Sequence, residues 1–326
     1  MAEPTGRVWY VTTDTEARDP PDQMTAELDD AMKTFMQYYN VRNAQLAFGR
    51  NGNVEGQRAY SNNDLDESKL QITLTGHMFL LASVSKAFCN AAIYTLYPNA
   101  AERASTHVFT DVLGYSSSDP RMGDPRLPQI TIQNLTDHLG GFNDQIGAGK
   151  DDAQSWTYTP DPTFHSRDVA AFLGRNVSSI QDFVEYAWRN KLDFNPGTTI
   201  GGRSFLYSNL GYVLLSRVVE VKSKMDYLSY LRAKVTNPIG VQVIQYFTRQ
   251  SQHTNDQDIG LIHAESFDSG PPSYDVSTAS PVPAVYGGDN VLKEACLGGA
   301  SLATRAADLV KFLGSYGMYY VSDVVV

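Results

Sequence analysis

The stretch FLLASVSKAF, residues 79–88, contains the only Ser-x-x-Lys pattern of the chain. Its apolar first half leads into a helical pattern that Pro98 closes. Ser83 and Lys86 lie three residues apart, so in a helix their side chains share one face, with Cβ atoms about 5–6 Å apart. The dipole of a helix start disfavours a charged amine, so a neutral Lys86 could take the Ser83 proton, and a free backbone N–H could hold an oxyanion. The spacing therefore predicts an activated serine; the alternative is an ordinary helix start capped by Ser83.

A tyrosine beside such a lysine is a second candidate group, because a nearby cation lets it release its proton more easily. The pattern Tyr-x-Asn occurs at Tyr38, Tyr60, Tyr97 and Tyr207, so spacing alone does not choose among them. Tyr38 lies in a predicted helix, Tyr60 ends a predicted strand and Tyr97 closes the predicted helix of Ser83. Only Tyr207 stands at a junction of loop and helix, where a side chain can point into a cleft. The context therefore favours Tyr207, followed by Asn209.

The surrounding pattern predicts a mixed α+β fold with an inserted helical lobe. Segments 45–48 and 57–60 flank Asn51-Gly52, a pair typical of a tight hairpin. The sequence predicts an irregular segment over residues 1–22 and a long surface loop over residues 250–290. Further helices are predicted over 87–96, 132–138, 180–188, 210–221 and, with Thr304 as its cap, 304–313. A first helix is indicated by an apolar stripe of Met24, Leu28, Met32, Phe35 and Tyr39.

Composition and charge exclude several classes of function. Apolar residues make up 42% of the 326 residues, enough for a sizeable core. The 36 acidic residues exceed the 26 basic ones, so no nucleic-acid or anionic-membrane surface is expected. The apolar runs are shorter than the roughly 18–20 residues of a membrane span. The N-terminus lacks the pattern of a signal peptide, which predicts a cytoplasmic protein unless a presequence has been removed.

The cysteine and histidine content of the sequence argues against a metal or a redox site. Cys89 and Cys296 are too few for a disulfide framework or a four-cysteine zinc site and read as two buried thiols. The six histidines show no metal-ligand spacing, and for His138 a hydrogen bond at a helix end is favoured over a catalytic role. No cofactor is expected.

Five sequence blocks follow one another along the chain: ASVSK at 82–86, ITIQNLTDHLGGF at 130–142, FNPGT at 194–198, YSNLGYVLL at 207–215 and GGASLATRAADL at 298–309. Together and in this order, they resemble the β-lactamase-related serine hydrolase family. That family includes class C β-lactamases, D-Ala-D-Ala carboxypeptidases, family VIII esterases and acyltransferases of fungal polyketides. The resemblance extends from about residue 24 to about residue 314.

The resemblance implies an antiparallel sheet flanked by helices, with the site between an α/β lobe and a helical lobe of one catalytic domain. The α/β lobe would cover about 24–100 and 285–326, and the helical lobe about 101–284. Ser83 would be the nucleophile, Lys86 its base and Tyr207 the second proton carrier, while Asn209 would orient Lys86 or the substrate. The blocks at 130–142 and 298–309 match structural parts of the family. Trp156 and Tyr158 are candidates for the acyl pocket, although core packing is the simpler interpretation.

One family feature is missing from this sequence. Members carry a third motif, Lys/His-Thr/Ser-Gly or Trp-x-Gly, well after the block at 298–309, and its backbone supplies the second oxyanion donor. No such triplet follows Tyr207 at a suitable place. The chain could be truncated, naturally short with the gap filled by a loop or a second subunit, or an inactive relative. Missing strands would leave open sheet edges, so a homodimer is a further expectation.

The predicted function is that of a serine hydrolase or acyltransferase acting through an acyl-enzyme on an ester or thioester of a small molecule. The absence of a visible export signal ranks this chemistry above that of a β-lactamase or D-amino peptidase. The other alternative is a catalytically impaired member that serves as a binding or scaffold protein.

Overall fold

The N-terminal part of the protein forms a three-stranded antiparallel sheet. The computed structural model describes residues 8–13, 22–63, 73–143, 161–199, 206–252, 261–262, 269–275, 277–288 and 291–316. Strands β2 (Asn43–Arg50) and β3 (Asn53–Asn63) form the predicted hairpin, and Asn51 and Gly52 have the positive φ angles, 52° and 77°, that its tight turn requires. Strand β1 (Val8–Thr13) pairs along the other edge of β3.

Strand β1 corrects the interpretation of the first 22 residues as irregular. Its sequence, VWYVTT, consists of β-branched and aromatic residues, which fit a pleated strand. Prolines and charged residues on both sides of this strand dominate the composition of residues 1–22, and for this reason the strand was not predicted.

The first helix, α1 (Asp22–Tyr39), is confirmed, but its predicted apolar stripe is partly wrong. Among the side chains described, from residue 26 onwards, Met36 is fully buried, Leu28 and Met32 are half-buried, and Phe35 and Tyr39 are exposed. The covered side of the helix therefore carries Leu28, Met32 and Met36, and the neighbouring Asp29 accepts from the Tyr60 hydroxyl of β3 at 2.7 Å.

The second sheet holds the strand that leads to Ser83. Its order is β5 (Ile244–Gln245), β9 (Leu302–Thr304), β4 (Met78–Leu80) and β6 (Leu261–Ile262). The pairs β5–β9 and β9–β4 are antiparallel, and the two-residue pair β4–β6 is parallel. A short hairpin of β7 (Ser269–Gly270) and β8 (Val282–Pro283) lies apart from it.

Helices surround these sheets, and every helix predicted from the sequence is present. The described helices after α1 are α2 (Ser85–Leu96), α3 (Ala100–Ser105), α4 (Ile132–Thr136), α5 (Ser166–Leu173), α6 (Ile180–Arg189), α7 (Asn209–Ser223), α8 (Tyr227–Leu231) and α9 (Ala306–Tyr316). Helix α7 is buried over most of its length and packs against α2, α4 and α6. No helix in the described part of the chain is long and apolar enough to cross a membrane.

The predicted cap at Thr304 is wrong, and so is the alternative in which Ser83 caps a helix. Thr304 ends β9, and its hydroxyl donates to the Gln242 carbonyl oxygen at 2.5 Å; the first N–H of α9 is instead bound by the Gln45 side chain, Ala306 N to Oε1 at 3.0 Å. Ser83 does not cap α2 either, since the cap position is Val84. Both hydroxyls are used for contacts across the fold, which local capping preferences do not take into account.

Candidate active site

A short turn exposes Ser83 at the end of β4. Residues Ala82–Val84 form a single 3₁₀ turn between β4 and α2, and Ala82 has a positive φ of 45°, which is uncommon for a residue with a Cβ. The preceding Leu81 N–H is held by the Leu302 carbonyl oxygen at 2.8 Å. Ser83 is exposed, whereas Ser85 is buried and its Oγ accepts from Leu302 N at 3.2 Å. The turn thus aims one serine at solvent and the other at β9.

Lys86 lies buried beneath Ser83 in the first turn of α2. Its Nζ is 3.2 Å from Ser83 Oγ, 2.5 Å from Asn209 Oδ1 and 2.8 Å from the Gly299 carbonyl oxygen. The amide and carbonyl oxygens are acceptors only. An ammonium group can donate to all three oxygens, and a neutral amine can donate to the two carbonyl-type oxygens while accepting the Ser83 proton. The site therefore suits both protonation states of Lys86.

Tyr207 approaches Ser83 from the start of α7. Its hydroxyl is 2.6 Å from Ser83 Oγ, and Lys86 Nζ lies 4.7 Å from the centre of its ring. Of the other tyrosines in the same pattern, Tyr38 is exposed on α1, and Tyr60 is buried in β3, where its hydroxyl donates to Asp29 at 2.7 Å. The third, Tyr97, is buried at the end of α2. The structure thus brings Tyr207 to the serine.

The start of α7 positions both Tyr207 and Asn209. Ser208 is the N-cap, with its Oγ accepting from Gly211 N at 3.1 Å, and Asn209 is the first helical residue. This arrangement directs Asn209 Oδ1 to Lys86 Nζ. The other end of the amide, Nδ2, donates to Asp161 Oδ2 at 2.6 Å.

His138 supports the ring of Tyr207. The two rings stack with centroids 4.7 Å apart, and His138 Nδ1 accepts from Ser208 N at 3.1 Å, which leaves the neutral ring with its proton on Nε2. Burial, and then the charge of Lys86, lowers the pKa of His138 to about 3. The predicted hydrogen bond at a helix end is present, but it is made to the start of α7 rather than to its own helix.

Three contributors to this site were not predicted. Asp161 contacts Asn209, the Gly299 carbonyl contacts Lys86, and His138 contacts Tyr207. The blocks at 130–142 and 298–309 therefore contribute His138 and the Gly299 carbonyl to the site, in addition to their part in the core. The sequence Asp161-Pro-Thr signals a side-chain-to-backbone turn, but not its contact with a residue 48 positions away.

The cysteines add no reactive group to this site, and two predicted residues fall outside the described part of the chain. Trp156 and Tyr158 lie outside the described residues. Among the residues that are described, no three His, Cys, Asp or Glu side chains are grouped so that they could hold a metal ion. The two cysteines are buried, and burial raises the pKa of each thiol to about 12. Neither thiol is therefore suited to act as a nucleophile.

Comparison with protein families matches the Beta-lactamase family model to residues 28–322. Penicillin-binding protein 4* of Bacillus subtilis is 26% identical over 180 residues, which cover 54% of this chain and 32% of that protein. A probable fimbrial assembly protein FimD of Dichelobacter nodosus is 26% identical over 199 residues, covering 61% of this chain and 40% of that protein. The chain thus aligns with less than half of the length of each of these relatives.

Solved structures show the same fold at lower identity. EstCE1, described as a hydrolase with promiscuous acyltransferase activity, superposes with a TM-score of 0.58 at 16% identity, over 90% of this chain and 72% of EstCE1. The octameric penicillin-binding protein homologue from Pyrococcus abyssi superposes with a TM-score of 0.55 at 18% identity, over 92% of this chain and 57% of that one. The mixed α+β architecture predicted from the sequence is confirmed.

Proposed function

This chain belongs to the Beta-lactamase family, and from that premise we propose that it is a serine hydrolase or acyltransferase acting through an acyl-enzyme on an ester or thioester of a small molecule. One observation carries the proposal: a lysine amine and a tyrosine hydroxyl converge on the same exposed serine oxygen, at 3.2 and 2.6 Å. A serine becomes a nucleophile when a positioned group can take its proton.

The geometry supports a two-carrier mechanism for acylation. Ser83 Oγ forms a bond to the acyl carbon while its proton passes to neutral Lys86. The bond to the leaving oxygen or sulfur then breaks, and Tyr207 gives that atom its proton. The acyl-enzyme is left with an ammonium at Lys86 and a phenolate at Tyr207.

Deacylation reverses these two transfers. The Tyr207 phenolate takes a proton from water or an alcohol, whose oxygen bonds to the acyl carbon. The bond between that carbon and Ser83 Oγ breaks, and Lys86 returns the proton to the serine. Both carriers end in their starting states, and the nature of the acceptor decides between hydrolysis and acyl transfer.

Ester or thioester chemistry is supported by the likeness in fold to EstCE1. A second candidate, β-lactam or D-amino peptide hydrolysis, is favoured by the similarity to penicillin-binding protein 4*. The two differ in the leaving group, since an amine is a poorer leaving group than an alkoxide or thiolate and depends more on protonation by Tyr207. A further candidate is a binding or scaffold protein that retains an unreactive Ser83.

The test is intact mass after incubation with a fluorophosphonate and, separately, with a p-nitrophenyl acyl ester or a β-lactam, followed by peptide mapping. A single adduct on Ser83 is expected, and Ser83→Ala should abolish it. Ser85→Ala is the matched control: that hydroxyl is buried and faces β9, so the adduct should remain on Ser83. Replacing Lys86 by Met or Tyr207 by Phe should slow acylation by roughly 10²–10⁴-fold.

The outcomes separate the candidates. Faster labelling by the ester than by the β-lactam supports the proposed function, and the reverse order supports the second candidate. Folded protein that reacts with none of the three reagents would overturn both and leave the binding role.

A further inference from the structure

Three buried polar side chains form a continuous line behind Ser83. Asp161, Asn209 and Lys86 are 7%, 8% and 6% exposed. Asp161 Oδ2 accepts from Asn209 Nδ2 at 2.6 Å, and Asn209 Oδ1 accepts from Lys86 Nζ at 2.5 Å. Buried polar groups of this kind must be hydrogen-bonded, because leaving one of them unpaired costs its full desolvation.

The two ends of this line determine which way the amide points. A carboxylate can only accept hydrogen bonds, and an ammonium can only donate them. The Asn209 amide satisfies both ends when its nitrogen faces Asp161 and its oxygen faces Lys86. Rotating the amide by half a turn would set two donors against each other at Lys86 and two acceptors against each other at Asp161.

Asp161 is itself held in place by a local turn. Its Oδ1 accepts from Thr163 N at 2.8 Å and from Thr163 Oγ1 at 2.7 Å, while Pro162 restricts the backbone between them. With one oxygen fixed by Thr163, the other is presented to Asn209. The carboxylate is therefore held in position by contacts other than the one with Asn209.

We propose that Asp161 is a positioning residue of the acylation site, which acts by locking the oxygen of the Asn209 amide towards Lys86. With the Asn209 and Gly299 oxygens taking two of its N–H bonds, the remaining direction of the Lys86 amine faces Ser83. When Lys86 is neutral, loss of the lock would let the amide turn its nitrogen towards the amine and donate to the lone pair that must take the Ser83 proton. This inference rests on the proposed function, since it concerns the step in which Ser83 is acylated.

The test is a double-mutant cycle of Asp161→Asn and Asn209→Ala, read as the rate of fluorophosphonate labelling and as kcat and KM for a p-nitrophenyl ester. An asparagine at 161 can still bond to Asn209 but no longer dictates its orientation. We expect labelling and kcat to fall roughly 10- to 100-fold with little change in KM, by analogy with other groups that orient a reacting ligand. In the Asn209→Ala background, Asp161→Asn should change the rate by less than about twofold, because Asp161 acts through Asn209.

The matched control is Asp124→Asn. Asp124 is also buried and accepts from Arg126 and from Leu192 N, but it lies outside the Ser83 network. We expect lower stability with an unchanged labelling rate. If the losses from Asp161→Asn and Asn209→Ala simply multiply, the positioning role is overturned. Should Asp161→Asn fail to fold, Thr163→Val weakens the same turn and should give a smaller loss that also vanishes in the Asn209→Ala background.

The NMR signals of the Asn209 side chain test the amide orientation without any measurement of activity, so this inference can be judged separately from the proposed function. The side-chain amide signals of Asn209 can be assigned by their loss in Asn209→Ala. In the wild type one Nδ2 proton should be shifted downfield by the carboxylate, and Asp161→Asn should remove that shift. If the wild type is not labelled, the proposed function fails while this measurement still decides the amide orientation; an unchanged spectrum in Asp161→Asn would overturn the orientation.

Discussion

His138 shows how one residue couples the site to pH. Its ring stacks on Tyr207 and lies 5.0 Å from the ring of Tyr212, with the Lys86 charge nearby. Its backbone has a positive φ of 57°, a conformation that asparagine also tolerates. A protonated ring could no longer accept from Ser208 N through Nδ1, so the native arrangement requires neutral His138.

We therefore expect stability to fall as the pH drops from about 6.5 towards 3. In this window the unfolded chain binds a proton at residue 138 and the folded chain does not, because burial and Lys86 lower the pKa of His138 to about 3. The slope from this group is at most about 1.4 kcal/mol per pH unit. The variant His138→Asn keeps a side-chain acceptor for Ser208 N but cannot titrate at this position. Urea unfolding at pH 7, 6 and 5 should show a shallower decline for the variant; equal declines would contradict the prediction.

At the scale of elements, the segment before β9 must come very close to α7 and α2. Gly298 N donates to Ser216 Oγ at 3.1 Å, and the next carbonyl, that of Gly299, reaches Lys86. A Cβ at Gly298 would overlap the Ser216 hydroxyl and lie 3.0 Å from both Cys89 Sγ and the Tyr212 carbonyl oxygen. A Cβ at Gly299 would have its nearest neighbour, the Cys296 carbonyl oxygen, at an ordinary 3.6 Å.

These neighbouring glycines provide a matched pair of substitutions. Gly298→Ala should destabilise the protein by about 1–3 kcal/mol, since an overpacked core must shift helix α7 or the segment before β9. Gly299→Ala should be neutral or slightly stabilising, because it reduces the freedom of the unfolded chain without a clash. Chemical denaturation of both variants checks the pair, and equal stabilities would show that the close approach at Gly298 is not limiting.

At the scale of the whole molecule, one apolar core joins the parts of the chain that were assigned to different lobes. Phe88 of α2 stacks on Phe312 of α9 with ring centroids 4.0 Å apart. The same cluster includes Phe183 of α6 and Val213 of α7. The division into lobes at about residues 100 and 285 stays a prediction, as does the homodimer, which light scattering can check.

A shared core predicts that the molecule unfolds in a single transition. Phe312→Ala should lower the free energy of unfolding by about 3–5 kcal/mol, because it leaves a cavity against Phe88. The adjacent Leu313 is 51% exposed, so Leu313→Ala should cost much less. Far-UV and near-UV circular dichroism should give coincident melting curves that shift together in Phe312→Ala. Separate transitions, with only one of them shifted, would mean that the lobes unfold independently.

The amino-acid sequence by itself determined the features that depend on neighbours along the chain. Asn51-Gly52 specified the β2–β3 hairpin, since few other residue pairs adopt its turn. Apolar spacing located α2, α6 and α7, and the three-residue spacing placed Lys86 under Ser83. The five blocks, taken together, indicated the fold. For the hairpin, the helices and the Ser83–Lys86 pair, the physical cause acts within one or two turns of helix or across one turn of chain.

Only the tertiary structure decided which distant groups complete the site. Tyr207 was favoured by context, but the contact with Ser83 spans 124 residues, and that of Lys86 with Gly299 spans 213. Asp161 has no pattern that ties it to Asn209, and a backbone carbonyl such as that of Gly299 carries no side-chain signature at all. Such contacts depend on how α2, α7 and β9 pack together, and packing is set by the shape of the assembled core rather than by the spacing of residues in any one segment.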